Sequence, residues 1–298
     1  MKQWKPSGLG PEFTYDLSEL RKVDPTLVHY KQTGSVPTGM AKPRGIAVGA
    51  DGRLFVAGEG GVRIFDAAGK PVAPFETGGE PHCIAVGKTG TVYVGMKDHV
   101  EVYDASGKRA AAWNGLGERA YVTSLAVGEA YVFVADAGNR VLLRYDLSGK
   151  LLNRIGEADE AKHAPGLIVP SPYFDVALGP KGMLWLVNPG RRRVECYTYE
   201  GAFRFAWGEF SMKIEGFCGC CNPTHLAIDR QGNFITSEKG LPRVKVYDDE
   251  GNFTSVVAAP ADFADGAVGL DVAVDTKGRI LVLDPKRGDV RIFAKKRS

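Results

Sequence analysis

The strongest constraint on this chain is that it repeats itself six times. Pro43-Arg44-Gly45-Ile46-Ala47-Val48 leads through Asp51-Gly52 to Leu54-Phe55-Val56. Pro81-His82-Cys83-Ile84-Ala85-Val86 leads through Thr89-Gly90 to Val92-Tyr93-Val94. Four further copies contain Leu125-Ala126-Val127, Val176-Ala177-Leu178, Leu226-Ala227-Ile228 and Val272-Ala273-Val274, each followed by another apolar run. The spacing of about 38 to 51 residues is that of propeller blades. Each copy continues with a third apolar run, and in three this run ends in a shared turn: Asp66 to Gly69, Asp104 to Gly107, Asp146 to Gly149. Glycine takes a positive φ at little cost, so such a turn reverses the chain into a hairpin. A weaker fourth run follows, as at 71–75 and 202–207. Four short antiparallel strands repeated six times specify an all-β, six-bladed β-propeller. The 38 glycines suit that density of turns.

The ends suggest how the ring closes. The sixth copy stops after its third strand, while Leu27-Val28-His29-Tyr30-Lys31, with Gly34 beyond, has no blade of its own. We expect this N-terminal strand to complete the last blade and remove its open edge. Residues 1–26 are then a lead-in with a short helix near Leu17–Val23, and residues 27–298 a single propeller domain. The Pro-x-Gly-Ile-Ala-Val, Asp-Gly-x-Leu-Phe-Val and Asn139-Arg140-Val141 elements resemble those of NHL-repeat propellers over roughly residues 27–295. That resemblance implies the six-bladed fold and little about activity. Its members include RNA-binding domains, extracellular sensor domains and a zinc-dependent lyase acting on hydroxyglycine peptides. No residue-level match to that lyase's site is present here.

One segment breaks the pattern. Phe217-Cys218-Gly219-Cys220-Cys221-Asn222-Pro223-Thr224-His225 holds three of the five cysteines, with a histidine close behind. Disulfide scaffolds usually spread cysteines along shorter chains, so the clustering points to a site. Thiolates and imidazoles suit copper(I) or zinc, although this spacing is not a common zinc one. Alternatively, Cys220 and Cys221 link as a vicinal disulfide, with Asn222-Pro223 turning the chain behind them. Unlinked structural thiols are the third possibility.

The repeat places the segment in space. The residue just before each Ile/Leu/Val-Ala pair reads Gly45, Cys83, Ser124, Asp175, His225, Asp271. The preceding column reads Arg44, His82, Thr123, Phe174, Thr224, Leu270. Equivalent positions in a closed ring surround one axis, so these residues are expected at one channel mouth. We expect a metal site built from Cys218, Cys220, Cys221, His225 and Cys83, with Arg44, His82, Asp175 and Asp271 in the pocket. The bland readings are packing for Cys83, a solvated loop for His82, and hydrogen bonds to backbone N–H groups for Asp175 and Asp271. Cys196 aligns with Ile64 and Val102 and is read as buried.

A metal-dependent or redox function at the mouth is the first expectation, with a copper or zinc ion as cofactor. A binding propeller for a small molecule or peptide, shaped by a Cys220–Cys221 disulfide, is the second. RNA binding through a rim of Asn188, Arg191, Arg192, Arg193, Lys239, Arg243, Lys286 and Arg287 is the third. Net charge is only +3, and exposed aromatics interleaved for base stacking are not evident, so nucleic acid ranks last. No run approaches the ~20 apolar residues of a membrane helix. The start lacks an apolar export signal, yet similar bacterial propellers are often exported, which leaves periplasmic or extracellular residence open.

Overall fold

The computed structural model describes residues 19–297. Six four-stranded antiparallel sheets stand in a ring, a six-bladed β-propeller. Blade 1 runs Pro43–Val48, Leu54–Gly58, Gly61–Phe65 and Pro71–Phe75, from the axis outward. Blades 2, 3, 4 and 5 repeat this order over residues 83–112, 122–155, 176–207 and 225–258. Blade 6 takes Val272–Val274, Ile280–Asp284 and Asp289–Lys295 from the C-terminal end, and its outermost strand is Tyr30–Pro37. That N-terminal strand runs antiparallel to Asp289–Lys295, pairing Tyr30 with Lys295 and Pro37 with Asp289, so the first and last parts of the chain close the ring together. The expected short helix is a 3₁₀ turn at Glu19–Arg21; Leu17 and Ser18 lie outside the described residues. No helix among the described residues is long and apolar enough to cross a membrane.

The turns form as their sequence dictates. Asp66, Asp104, Asp146 and Asp248 each accept backbone N–H bonds from residues two and four further on. Each of these turns ends in a glycine with φ between 82° and 89°. The same glycine has a second role. A Cβ on Gly107 would lie 2.7 Å from Phe75, on Gly149 2.4 Å from Trp113, and on Gly251 2.3 Å from Trp207. The aromatic that leaves one blade's outer strand therefore lies on the next blade's turn. There it meets that blade's tyrosine: Phe75 with Tyr103 at 4.6 Å, Trp113 with Tyr145 at 4.9 Å, Trp207 with Tyr247 at 4.7 Å. The core is a series of such layers between adjacent blades. Burial of each large ring contributes about 1.5–3 kcal/mol, with roughly 0.5–1.5 kcal/mol more from ring pairing.

The connections between blades are unequal. Residues 76–82 and 113–121 pass quickly into blades 2 and 3. Residues 156–175, 208–224 and 259–271 make longer excursions before blades 4, 5 and 6.

Candidate functional site

The mouth of the channel holds a cavity of about 300 Å³. Its wall takes residues from every blade or the connection leading into it: Arg44, His82, Thr123, Tyr173, His225 and Val268, with Tyr121 and Phe174 between them. Arg44, His82 and His225 thus meet at one place although far apart in sequence. Blades 2 and 5 are opposite in a six-membered ring, so His82 and His225 face the cavity from opposite sides.

Each wall residue is held from behind. His82 Nδ1 lies 3.3 Å from the Val122 carbonyl, and its ring is 4.7 Å from Tyr121. Burial and the Arg44 guanidinium both hold its pKa below the usual histidine value. His225 sits among the hydroxyls of Thr224 (3.1 Å) and Ser237 (3.2 Å), with Tyr173 edge-on at 5.8 Å. Enclosure by the blades lowers its pKa to about 4, so it is neutral at pH 7. Arg44 pairs with Glu80 at 2.6 Å and is the cationic lip. The Lys239 ammonium stands 4.9 Å over the Tyr173 ring.

The column residues deeper in the channel staple the blades. Asp175 accepts from Val176 N–H (2.8 Å) in its own blade and from Leu226 N–H (2.6 Å) in the next. Asp271 does the same for Val272 (2.8 Å) and, across the closure of the ring, Ile46 (2.7 Å). Ser124 Oγ receives Val176 N–H at 3.3 Å. Innermost strands have no neighbour on the axial side, so their inward N–H groups need such partners. Burial raises the pKa of both carboxyls, and the charge of Asp175 raises Asp271 further. Cys83 lies within their field, but its thiol turns into the blade: a Cβ on its cross-strand partner Gly95 would meet Cys83 Sγ at 2.3 Å. It packs there with Val122 and Leu125. Cys196 is fully buried.

Cys218, Cys220 and Cys221 do not line the cavity. They lie on the 208–224 connection, a loop that the fold holds firmly. The buried Lys245 ammonium donates to the carbonyls of Ile214 (3.0 Å) and Gly216 (2.7 Å) and pairs with Glu238 at 2.9 Å. Arg243 pairs with the same carboxylate at 2.7 Å and donates to Gly216, while Tyr247 donates to Glu215. Burial lowers the pKa of Lys245 to about 8 against the pull of Glu238. Cys218 is buried beside this cluster, and burial raises its pKa. Further on, Asn222 clamps the loop: its amide donates to Cys218 (2.7 Å) and Lys239 (3.0 Å) carbonyls, and its oxygen accepts Lys239 N–H (2.9 Å). Cys220 is exposed and Cys221 buried, with their sulfurs 2.8 Å apart and no disulfide between them. Ser171, next but one to Tyr173, lies beside Cys221.

Among the described residues, no three His, Cys, Asp or Glu side chains gather as a metal-ligand cluster. The donors named from sequence are spread over a blade interior, a buried charge cluster, an exposed turn and the cavity wall. The rim cations are also committed. Arg193 pairs with Glu195, Arg243 with Glu238 and Arg287 with Asp289, while Arg191 and Arg192 donate to backbone carbonyls. Asn188 is buried. Sequence reasoning named neither Tyr121 and Tyr173 nor the Glu238–Arg243–Lys245 cluster. The visible signal for the latter was a lysine between valines in a buried strand, Val244-Lys245-Val246.

No protein-family model matches the chain, and no curated protein matches it. Solved structures do. A virginiamycin B lyase from Staphylococcus aureus aligns with a TM-score of 0.62 at 10% identity, over 90% of this chain and 100% of that one. A streptogramin B lyase aligns at 0.58 and 12%, over 90% and 98%. A structural-genomics protein of unknown function from Bacteroides thetaiotaomicron aligns at 0.63 and 16%, over 90% and 72%. At these identities the likeness is one of fold.

Proposed function

We propose that the protein is a binding propeller whose channel mouth takes a small molecule or peptide end bearing a planar ring. The observation that carries this is the cavity of about 300 Å³ walled from all around the ring. Its size suits a small ligand, and an apolar lining with a few polar groups is the usual make-up of such sites. Tyr121 and Tyr173 offer ring faces and edges. The imidazoles of His82 and His225, neutral at pH 7, offer hydrogen bonds without a charge to desolvate. Saturation-transfer NMR with a panel of aromatic dipeptides and heteroaromatic carboxylates tests the reading. Tyr173→Ala and His225→Ala should each weaken panel binders at least about tenfold, the ~1.4 kcal/mol of a lost buried contact. Binders indifferent to both substitutions, or no binder at all, would overturn it.

A thiophilic metal is a second reading, favoured by the two imidazoles that share the cavity. Copper or zinc would then be held at His82 and His225, separately from the cysteine loop. Stoichiometric metal in protein prepared without chelators, lost in His225→Ala and kept in Cys220→Ser, would carry it. Metal-free protein after loading with either ion would remove it. Of the rim arginines, Arg193, Arg243 and Arg287 pair with carboxylates, and no specific observation favours the RNA reading.

A further inference from the structure

We propose that Cys220 and Cys221 form a reversible two-electron thiol–disulfide pair that sets the position of the Tyr173 wall. Three independent features converge on these residues. First, the loop is fixed on both sides. Lys245, Arg243 and Tyr247 hold the carbonyls of residues 214–216, and Asn222 holds Cys218 and Lys239. Within this held loop the two adjacent sulfurs lie 2.8 Å apart. Second, Cys221 has φ 65°, a left-handed conformation that costs a non-glycine residue on the order of 1 kcal/mol. Such conformations persist where surrounding structure enforces them, commonly at functional positions. Third, the two thiols differ in access: Cys220 is exposed and Cys221 buried, as an attacking and a resolving sulfur should be.

The chemistry balances with a small-molecule disulfide as oxidant. The Cys220 thiolate attacks one sulfur of R–S–S–R and expels R–S⁻. Cys221 then displaces the second R–S⁻ from the mixed disulfide, forming the Cys220–Cys221 bond. Two thiol hydrogens leave the protein with two electrons and appear on two R–SH. Reduction is the reverse. Cys83, Cys196 and Cys218 are buried elsewhere and stay out of the exchange.

The link to the cavity runs through two contacts. Ser171 lies beside Cys221 and leads directly into Pro172, Tyr173 and Phe174, which line the mouth. Lys239 is tied to Asn222 and stands over Tyr173. A new bond at Cys221 repositions its sulfur beside Ser171, whose buried hydroxyl has no hydrogen-bond partner, and shifts Asn222, Lys239 and this wall with it. The consequence for ligand capture rests on the binding reading; the redox pair and the wall movement do not.

The test uses the full chain equilibrated with an excess of either form of a small-molecule dithiol, acid-quenched, alkylated and mapped by mass. Oxidised protein should lose two of its five alkylation sites, both at Cys220 and Cys221. Cys221→Ser, and Cys220→Ser at the exposed position should the first fail to fold, should lose the intramolecular link. Full alkylation of both residues after oxidation, or linkage through Cys218, would overturn the pair. Hydrogen exchange of Tyr173 and Phe174 amides should differ at least about threefold between the two forms. Equal exchange despite a formed disulfide would overturn the coupling. Neither measurement uses a ligand, so either can fail while the Tyr173→Ala binding test succeeds.

Discussion

Blades 2 and 5 face each other across the axis and are built from nearly the same phrases, Val100-Glu101-Val102-Tyr103 and Val244-Lys245-Val246-Tyr247. The second residue is buried in both, yet its charge is reversed. In blade 2, Glu101 accepts from Tyr103 Oη (2.5 Å), Gly78 N–H (3.0 Å) and Arg109 (2.9 Å), and so fastens a short connection by its donors. In blade 5, Lys245 and Tyr247 donate to three successive carbonyls of a long connection. The same scaffold position thus anchors whatever polarity the incoming loop presents. The difference also sets what each blade can carry. A short connection leads into His82, whereas the long one leads into His225 and carries the cysteine pair; both imidazoles are half-buried.

The comparison breaks most sharply at Lys245. Lys245→Met removes one cation from a buried triad, orphans the Ile214 carbonyl and leaves Gly216 with Arg243 alone, so unfolding free energy in urea should fall by about 3–5 kcal/mol. Glu101→Gln keeps the shape, and its partner Arg109 is half exposed. Its cost should be about 1–2 kcal/mol. Equal losses would show that the two anchors are equivalent and that the long loop adds nothing.

The second difference appears with pH. His225 has a folded pKa near 4 against about 6.5 when unfolded. Above pH 6.5 both states are neutral and the group has no effect. As pH falls from 6.5 to 4, only the unfolded chain takes the proton, so stability is lost across that window. The loss should approach roughly 2–3 kcal/mol, less whatever channel water relieves. His225→Gln should remove most of this acid slope, and His82→Gln much less, in urea titrations from pH 7 to 4. A slope unchanged by His225→Gln would mean that the imidazole is well hydrated in the channel.

Both predictions depend on how differently the two blades were legible. Blade count, the Asp-to-Gly turns and closure by the N-terminal strand follow from period and turn chemistry, which are local. Register in the repeat also placed Arg44, His82 and His225 at one mouth, because equivalent positions in a ring share an axis. The direction of Cys83 was hidden, since only the missing side chain of Gly95, on the neighbouring strand, makes room for its thiol. Tyr173 was hidden because it sits in an irregular connection with no counterpart in the repeat. Lys245 carried a signal, a charge within an apolar alternation, but its partners come from a loop whose path no periodicity specifies. Asp175 and Asp271 were legible as channel residues, and the structure gives them the hydrogen-bonding task of joining blades.

The smallest effect concerns what acts on each histidine. Burial and the Arg44 charge both depress His82, whereas burial alone accounts for His225. Arg44→Ala removes a half-exposed pair with Glu80, so stability should change by no more than about 1 kcal/mol. The titration of His82, followed through its ring protons by NMR, should nevertheless move upward, because a nearby positive charge has gone and Glu80 is released. His225 should titrate as before. If both imidazoles move together, the cavity behaves as one electrostatic unit and the opposition between blades 2 and 5 does not extend to its lining. If only His82 moves, each imidazole answers to its own blade, and a ligand spanning the mouth meets two polar contacts that can be tuned separately.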